Sequence, residues 1–199
     1  MLNRGMTTIH DLILGPALDS RPCGDCVACC EVLNIAEPDM VKPAGQMCMH
    51  CTGSGCGIYD SRPQVCRSWD CVWRRIDTMP PQTRPDKMGV VFTIDRQGNP
   101  QTPFDRLYFV GRAVSDPAAL QGPHVPDVAG MLAYGPLPIF LTWNEKRMLV
   151  YPRAALADAI LDPFRTADPA LVQEGKEWME KFTPFAKLAA EAARQARSA

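Results

Sequence analysis

Runs of apolar residues separated by polar turns predict two β-hairpins in the second half of the chain. Apolar runs at 90–94 and 107–110 flank a stretch rich in glycine, asparagine and proline, and runs at 139–143 and 148–151 flank a short polar loop. Short β-branched and aromatic runs bounded by such turns are typical of paired strands. Between the two hairpins, residues 125–134 favour a short helix that ends before Gly-Pro.

Two further helices are predicted near the C-terminus. Asp168-Pro169 and Thr183-Pro184 each place a capping residue before a proline, which is the usual arrangement at the start of a helix. A regular apolar stripe follows only the second start, with Phe185, Leu188, Ala189 and Ala192 spaced three and four residues apart. The sequence therefore predicts one helix from 169 and another from 184.

The first half has a different composition. Residues 21–76 hold every cysteine of the chain, and residues 77–88 are a proline-rich connector that is not expected to be helical. We therefore predict a cysteine-cluster metal-binding region at 1–88 and a β-hairpin and helical region at 89–199, packed as one globular unit. The expected fold class is α+β, with the small metal-centred region packed on the hairpins and the C-terminal helices.

Composition and charge exclude several classes of function. Hydrophobic residues make up 46% of the 199 residues and charged residues 22%, so the chain can bury a core. The net charge of −1 offers no excess of cations for nucleic acid. No apolar run approaches the roughly 18 residues of a membrane span, and no secretory leader is recognisable. These features predict a cytoplasmic protein, in which reducing thiol pools argue against structural disulfides.

The cysteines are clustered. All nine lie between Cys23 and Cys71, and the remaining 128 residues after position 71 contain none. This distribution predicts one site, or a few adjoining sites, built from cysteine side chains.

The first cysteine run is Cys23-Gly-Asp-Cys26-Val-Ala-Cys29-Cys30. A C-x2-C step lets two thiolates of one tight turn bind the same metal ion. Adjacent side chains on an extended chain point to opposite sides, so Cys29 and Cys30 are not expected to bind one ion as an ordinary pair. The run therefore favours a polynuclear centre or two adjacent sites.

The second group consists of Cys48, Cys51, Cys56, Cys66 and Cys71, with His50 as a further candidate ligand. Ser61-Arg62-Pro63 resembles a helix start, which predicts a helix from Gln64 to about Ile76. On one continuous helix Cys66 and Cys71 would lie about 140° apart. They could therefore serve one metal only if the helix breaks between them.

Spacing and flanking residues together resemble a known family. The chain contains Cys23-x2-Cys26-x2-Cys29-Cys30 and then Cys56-Gly-Ile-Tyr59-Asp-Ser-Arg62-Pro63-Gln-Val-Cys66-Arg67. Over residues 20–90 this is similar to the CxxCxxCC family of zinc- or iron-chelating proteins, bacterial cysteine-cluster proteins of the YkgJ type. The resemblance implies eight metal ligands, with Cys51 as an extra cysteine: Cys23, Cys26, Cys29, Cys30, Cys48, Cys56, Cys66 and Cys71.

The identity of the metal stays open between zinc and iron, with an iron–sulfur cluster as one form of iron. Zinc accepts four thiolates, and C-x2-C-x2-C matches the first three ligands of a bacterial ferredoxin cluster. Copper(I) is a third alternative, because Met47 and Met49 flank Cys48. The charge of a thiolate site would be offset by nearby cations, for which the candidates are Arg21, Lys42, Arg62, Arg67, Arg74 and Arg75.

Two classes of function follow from these residues. The first is a binding protein with a structural or stored metal and an unidentified protein partner. The second is an iron–sulfur redox protein or enzyme, which the resemblance implies because a related domain occurs in flagellin lysine methylases. The sequence carries no nucleotide-binding or hydrolase motif, so it leaves catalysis undecided.

Overall fold

The computed structural model describes residues 8–38, 40–144 and 146–198. In its first half the regular elements are short and are separated by turns. They are α1 (Ile9–Leu14), α2 (Ala28–Val32), β1 (Ile35–Glu37), β2 (Met40–Lys42), α3 (Gln64–Ser68) and α4 (Pro85–Met88). Strands β1 and β2 form a two-stranded antiparallel sheet of their own.

The second half is built on a four-stranded sheet. Its strands, in spatial order, are β3 (Val90–Asp95), β4 (Tyr108–Ala113), β5 (Ile139–Trp143) and β6 (Lys146–Tyr151). The pairs β3–β4 and β5–β6 are antiparallel, as the two predicted hairpins require. Strands β4 and β5 run parallel, and the predicted helix, α5 (Val125–Leu132), lies in the crossover that this arrangement needs.

Helices α6 (Ala154–Leu161) and α7 (Pro169–Ser198) complete the fold. The predicted helix start at Pro169 is confirmed, but the second start at Pro184 is wrong, because Pro184 lies inside α7. Proline has no N–H for the carbonyl one turn earlier. Pro184 therefore leaves the Glu180 carbonyl without its usual donor, and in the same turn the Thr183 hydroxyl donates to the Met179 carbonyl at 2.6 Å.

Burial explains why α7 continues through the proline. Trp178, Phe182, Ala186 and Ala189 are buried at helical spacing on both sides of it. The apolar stripe is therefore longer than the one predicted from residue 185, and it packs as one surface against the core of the sheet.

The two halves of the chain share buried contacts. Val72 and Met79, from the first half, belong to the same apolar core as the sheet residues Phe92 and Ile139. A second small cluster places Val91 of β3 against Ala28, Val32 and Cys71. The fold is α+β, as predicted, and its cysteine-rich part packs on the β3 edge of the sheet.

The connector at 77–88 is partly helical, which corrects the prediction of a non-helical segment. Pro81–Thr83 forms a 3-10 turn, and α4 follows with Pro85 at its first position. Gly89 ends α4 with a φ of +73°, a conformation that favours glycine. Proline at the helix start and glycine after its end were the signals that the prediction overlooked.

No described helix combines the length and the apolar character needed to cross a membrane.

We predict that the buried ion pair between Asp105 and Arg147 stabilises the sheet. Asp105 is 2% exposed and accepts hydrogen bonds from Arg147 at 2.5 Å and from the Thr102 amide at 2.9 Å. Burial raises the pKa of Asp105, but the hydrogen bonds from Arg147 and Thr102 outweigh it and hold the pKa below its usual value. Asp105→Asn should therefore lower the free energy of unfolding by about 2–3 kcal/mol at pH 7.

Urea denaturation checks this expectation, with Asp95→Asn as the control. Asp95 pairs with Arg112 at 2.5 Å but is 40% exposed, so its replacement should cost less than about 1 kcal/mol. Because a lowered carboxyl pKa stabilises the fold only above the unfolded value near 4, the effect of Asp105→Asn should shrink as the pH falls below about 4. Equal costs for the two variants at pH 7 would contradict this explanation.

Candidate metal centre

One cavity of about 240 Å³ brings the cysteines of both groups together. His50 also contributes to its wall, whereas Cys51 does not. Apolar residues such as Leu33, Trp69 and Val91 line other parts of it. The cysteines on its wall are the eight that the sequence predicts as ligands: Cys23, Cys26, Cys29, Cys30, Cys48, Cys56, Cys66 and Cys71.

The first cysteine run enters the cavity through a turn and a helix. The Cys26 amide donates to the Cys23 carbonyl at 3.0 Å, which closes the first C-x2-C turn. Cys29 and Cys30 then lie on α2, so the expectation that they occupy an extended chain is wrong. Successive helical residues are about 100° apart rather than opposite, and the neighbouring Cys29 thiol raises the pKa of Cys30. Both can therefore face one cavity.

Glu31 fixes α2 to the large sheet. It is buried, and its carboxylate accepts hydrogen bonds from the Ser115 amide and hydroxyl, both at 2.6 Å. Ser115 lies two residues beyond the end of β4 and has a φ of +59°. The contact joins residues 84 positions apart and holds Cys30 in place beside the sheet. Nothing in the local sequence indicated this role for Glu31.

Lys42 supplies a buried cation beside the thiols. It is 4% exposed, and its ammonium group donates to the carbonyls of Glu31, Pro43 and Gln46 at 2.7–3.0 Å. Burial lowers the pKa of Lys42, while the nearby Cys48, Cys30 and Cys66 thiolates would raise it. Lys42, one of the cations predicted to offset the charge of a thiolate site, thus lies beside the cysteines that would carry that charge.

The second C-x2-C step belongs to a small hairpin at 48–57. The Cys48 amide donates to the Cys30 carbonyl at 2.9 Å, which ties this hairpin to α2. The Cys51 amide donates to the Cys48 carbonyl at 3.0 Å, and Cys51 then pairs with Cys56 in an isolated antiparallel bridge. The two cysteine groups are therefore joined by backbone hydrogen bonds.

Cys66 and Cys71 reach the same cavity because the helix between them breaks. Helix α3 ends at Ser68, and Trp69 has extended backbone angles, so the predicted helix from Gln64 to Ile76 is wrong beyond its first five residues. A separate 3-10 turn follows at Val72–Arg74. The break satisfies the condition under which these two cysteines could serve one centre.

Glu37 caps the short helix that carries Cys66. Its carboxylate accepts hydrogen bonds from the Gln64 and Val65 amides at 3.1 and 2.9 Å. These are amides that the first turn of a helix leaves without an internal partner. Because Glu37 lies on β1, 27 residues before Gln64, no local signal could have indicated this cap.

Burial and neighbouring charge divide the thiols into two groups. Burial raises the pKa of Cys71 to about 12, and Cys23 and Cys26 add to the increase. Burial also raises the pKa of Cys66, with smaller contributions from Cys48, Cys30 and Cys56. Thus Cys71 faces the first C-x2-C turn, whereas Cys66 faces thiols of α2 and of the small hairpin.

Arginine side chains occupy part of the cavity wall. Arg62, Arg67 and Arg74 line it, as predicted cations should. Arg62 stacks on Tyr59 at 3.7 Å, and its Nε is buried without a hydrogen-bond partner. Two other predicted cations have different roles, because Arg75 pairs with Asp11 and Asp70 and Arg21 stacks on Trp73.

The connector contributes residues that the sequence interpretation missed. Arg84 binds Asp25 at 2.7 Å and Asp86 at 2.6 Å, which holds α4 against the first C-x2-C turn. Burial raises the pKa of Cys26, and the charge of Asp86 adds to the increase. Pro85 of the same helix lines the cavity.

The thiols line the cavity without converging on one point. All nine cysteines are free. Across 8–38, 40–144 and 146–198, no three His, Cys, Asp or Glu side chains form a ready-made metal-binding group.

The chain matches no protein-family model, no curated protein and no solved structure.

We predict that Lys42 is required to keep the cavity wall folded. Lys42→Met would leave three carbonyl groups without their donor and should lower the free energy of unfolding by about 2–3 kcal/mol. Urea denaturation of the protein as purified, with the variants compared at equal metal content per chain, measures the change. Lys87→Met is the matched control, because Lys87 is exposed and its replacement should change stability by less than about 0.5 kcal/mol. A similar small change for Lys42→Met would contradict the structural role.

Proposed function

We propose that this protein binds zinc or iron through cysteine thiolates at the cavity. The observation that supports this most directly is that the eight predicted ligands line one cavity although they are spread over 49 positions, from 23 to 71. Thiolates are preferred ligands of zinc and of iron–sulfur clusters. The motif resemblance to the CxxCxxCC family supports the same function, and a cytoplasmic location would keep the thiols reduced.

The surroundings of the cavity fit a negatively charged centre. Metal-bound thiolates carry charge, and the buried Lys42 ammonium lies near Cys30, Cys48 and Cys66. Among the residues that the structure describes, the buried Nε of Arg62 has no hydrogen-bond acceptor, and a thiolate-bound metal in the cavity would supply negative charge near it. Both cations are easier to bury if such a charge is present.

The number of thiols favours more than one metal ion. A tetrahedral zinc ion takes four thiolates, whereas eight cysteines line this cavity. The division between thiols around Cys71 and thiols around Cys66 supports two adjacent centres or one polynuclear cluster. Side-chain rotations would have to bring the sulfurs together, since among the described residues no three such groups form a ready-made metal-binding set.

An iron–sulfur redox protein, or an enzyme that uses such a cluster, is the second candidate function. The cavity volume and the thiol number support it as well as they support zinc. When bound, zinc would supply structural stability, whereas an iron–sulfur cluster would supply a site for electron transfer. The residues of this chain would hold the centre, exclude water from its apolar side and balance its charge.

We predict that metal content depends on Cys66 and not on Cys51. Protein purified without oxygen and without added metal should contain one or two zinc atoms per chain, or about three or four iron atoms with matching sulfide. Cys66→Ser removes a cavity thiol and should lower the metal content at least about twofold. Cys51→Ser, the matched control outside the cavity wall, should leave it unchanged. Elemental analysis that finds no metal in the wild-type protein would overturn the proposal.

We also predict that metal removal unfolds part of residues 21–76. Few apolar side chains of this segment are buried, among them Ala28, Val32, Ile35 and Val72, so metal binding would supply much of its folding free energy. A chelator should therefore reduce the far-UV circular dichroism signal, and metal should restore it. An unchanged spectrum after complete metal removal would contradict this dependence.

A further inference from the structure

Cys51 is the cysteine that does not line the cavity. It lies on the small hairpin between Cys48 and Cys56, both of which do. It is partly exposed to solvent, and the Gly53 amide approaches its Sγ at 3.5 Å. Cys51 is also among the groups that influence the pKa of the Cys30 thiol. A thiol is therefore held next to the candidate centre without lining the cavity.

The backbone pairs Cys51 with one particular cavity thiol. The Thr52 amide donates to the Gly55 carbonyl at 3.0 Å, and the Gly57 amide donates to the His50 carbonyl at 2.8 Å. These bonds lie on either side of the Cys51–Cys56 bridge, which makes it a non-hydrogen-bonded antiparallel pair. In such a pair the side chains lie on one face, with Cα atoms about 4.5 Å apart.

That separation is compatible with a disulfide. Bridged cysteines have Cα atoms roughly 4.4–6.8 Å apart, so Cys51 and Cys56 meet the backbone requirement without moving the strands. The turn between them is closed by Gly53, whose φ of +86° suits glycine, so the pairing is part of the hairpin.

We propose that Cys51 and Cys56 form an oxidisable dithiol whose oxidation withdraws Cys56 from the metal centre and releases metal. The release step rests on the proposed metal-binding function, whereas formation of the disulfide does not. Cys51 is the attacking thiol, because it is not needed as a ligand and is accessible to solvent. Cys56 is the thiol that both the centre and Cys51 can use.

The oxidant is a low-molecular-weight disulfide such as oxidised glutathione. The Cys51 thiolate attacks one of its sulfurs, which forms a mixed disulfide and releases one glutathione thiolate. The Cys56 sulfur then attacks the Cys51 sulfur, which forms the Cys51–Cys56 bond and releases the second glutathione. Two protein thiols are oxidised, one disulfide is reduced to two thiols, and the two protons end on glutathione. Excess reduced glutathione reverses both steps.

Peptide mapping tests the pairing directly. The full-length protein, as purified without oxygen, is incubated with oxidised glutathione, its free thiols are alkylated, and it is cleaved after Met49 and Tyr59. The resulting peptide, residues 50–59, contains Cys51 and Cys56 as its only cysteines. We expect this peptide to escape alkylation and to lose two hydrogens, and to regain both thiols after reduction. A disulfide between Cys51 and any other cysteine would overturn the assignment. Recovery of Cys51 in its alkylated form, which means that its thiol stayed free, would also overturn it.

Metal retention tests the consequence. Wild-type protein should lose metal as the disulfide forms, and Cys51→Ser should lose it at least about tenfold more slowly under the same oxidant. Equal rates of metal loss would overturn the proposed release. If the wild-type protein forms the disulfide but contains no metal before oxidation, the metal-binding function fails while the dithiol stands. If metal is bound and no disulfide forms, the dithiol fails while the metal-binding function stands.

Discussion

The gathering of eight thiols around one small cavity is the constraint on which the rest of this structure depends. Thiols attract one another weakly, and a cavity lined by them gains little from packing alone. The chain therefore uses stronger interactions around the cavity. The Glu31 carboxylate binds the Ser115 turn, the Lys42 ammonium binds three carbonyls, and Arg84 binds two carboxylates. These contacts hold short elements whose own cores are small.

The large sheet gives these elements a rigid base. Val91 of β3 packs against Ala28 and Val32 of α2, and Val72 enters the core shared with Phe92 and Ile139. The cysteine-rich part thus presents one side to a well-packed sheet and its other side to the candidate centre. A metal bound there would affect the short helices first, because they depend most on contacts around the cavity.

Local sequence patterns predicted those helices and strands whose bounds depend on residues close to them in the chain. The strand pairs, α5 and the start of α7 follow from apolar runs and turn residues close to them. The break after Ser68 did not, and neither did the cap at the start of α3, which comes from Glu37 on another element. The Pro184 start failed because a buried stripe from Trp178 to Ala189 packs against the core as one surface and keeps α7 continuous. Cys29 and Cys30 were misjudged because the five-residue helix that carries them has too few residues to show a period.

In the candidate site, too, some features could be predicted from the sequence, whereas others depend on contacts between distant parts of the chain. The eight cysteines that the family resemblance implied as ligands all line the cavity, and their binding of metal stays a prediction. The supporting roles of Glu31, Arg84 and Asp86 depend on contacts made across the fold, so the spacing carried no sign of them. Cys51 also became informative only when its strand pairing with Cys56 was visible.

X-ray absorption spectroscopy of the anaerobically purified protein tests the central claim most directly. Thiolate coordination predicts a first shell of about four sulfur atoms, at about 2.3 Å for zinc. An iron–sulfur cluster would add a second shell of iron at a short distance. A first shell of oxygen and nitrogen atoms, or no bound metal, would contradict the account of the cavity as a thiolate metal centre.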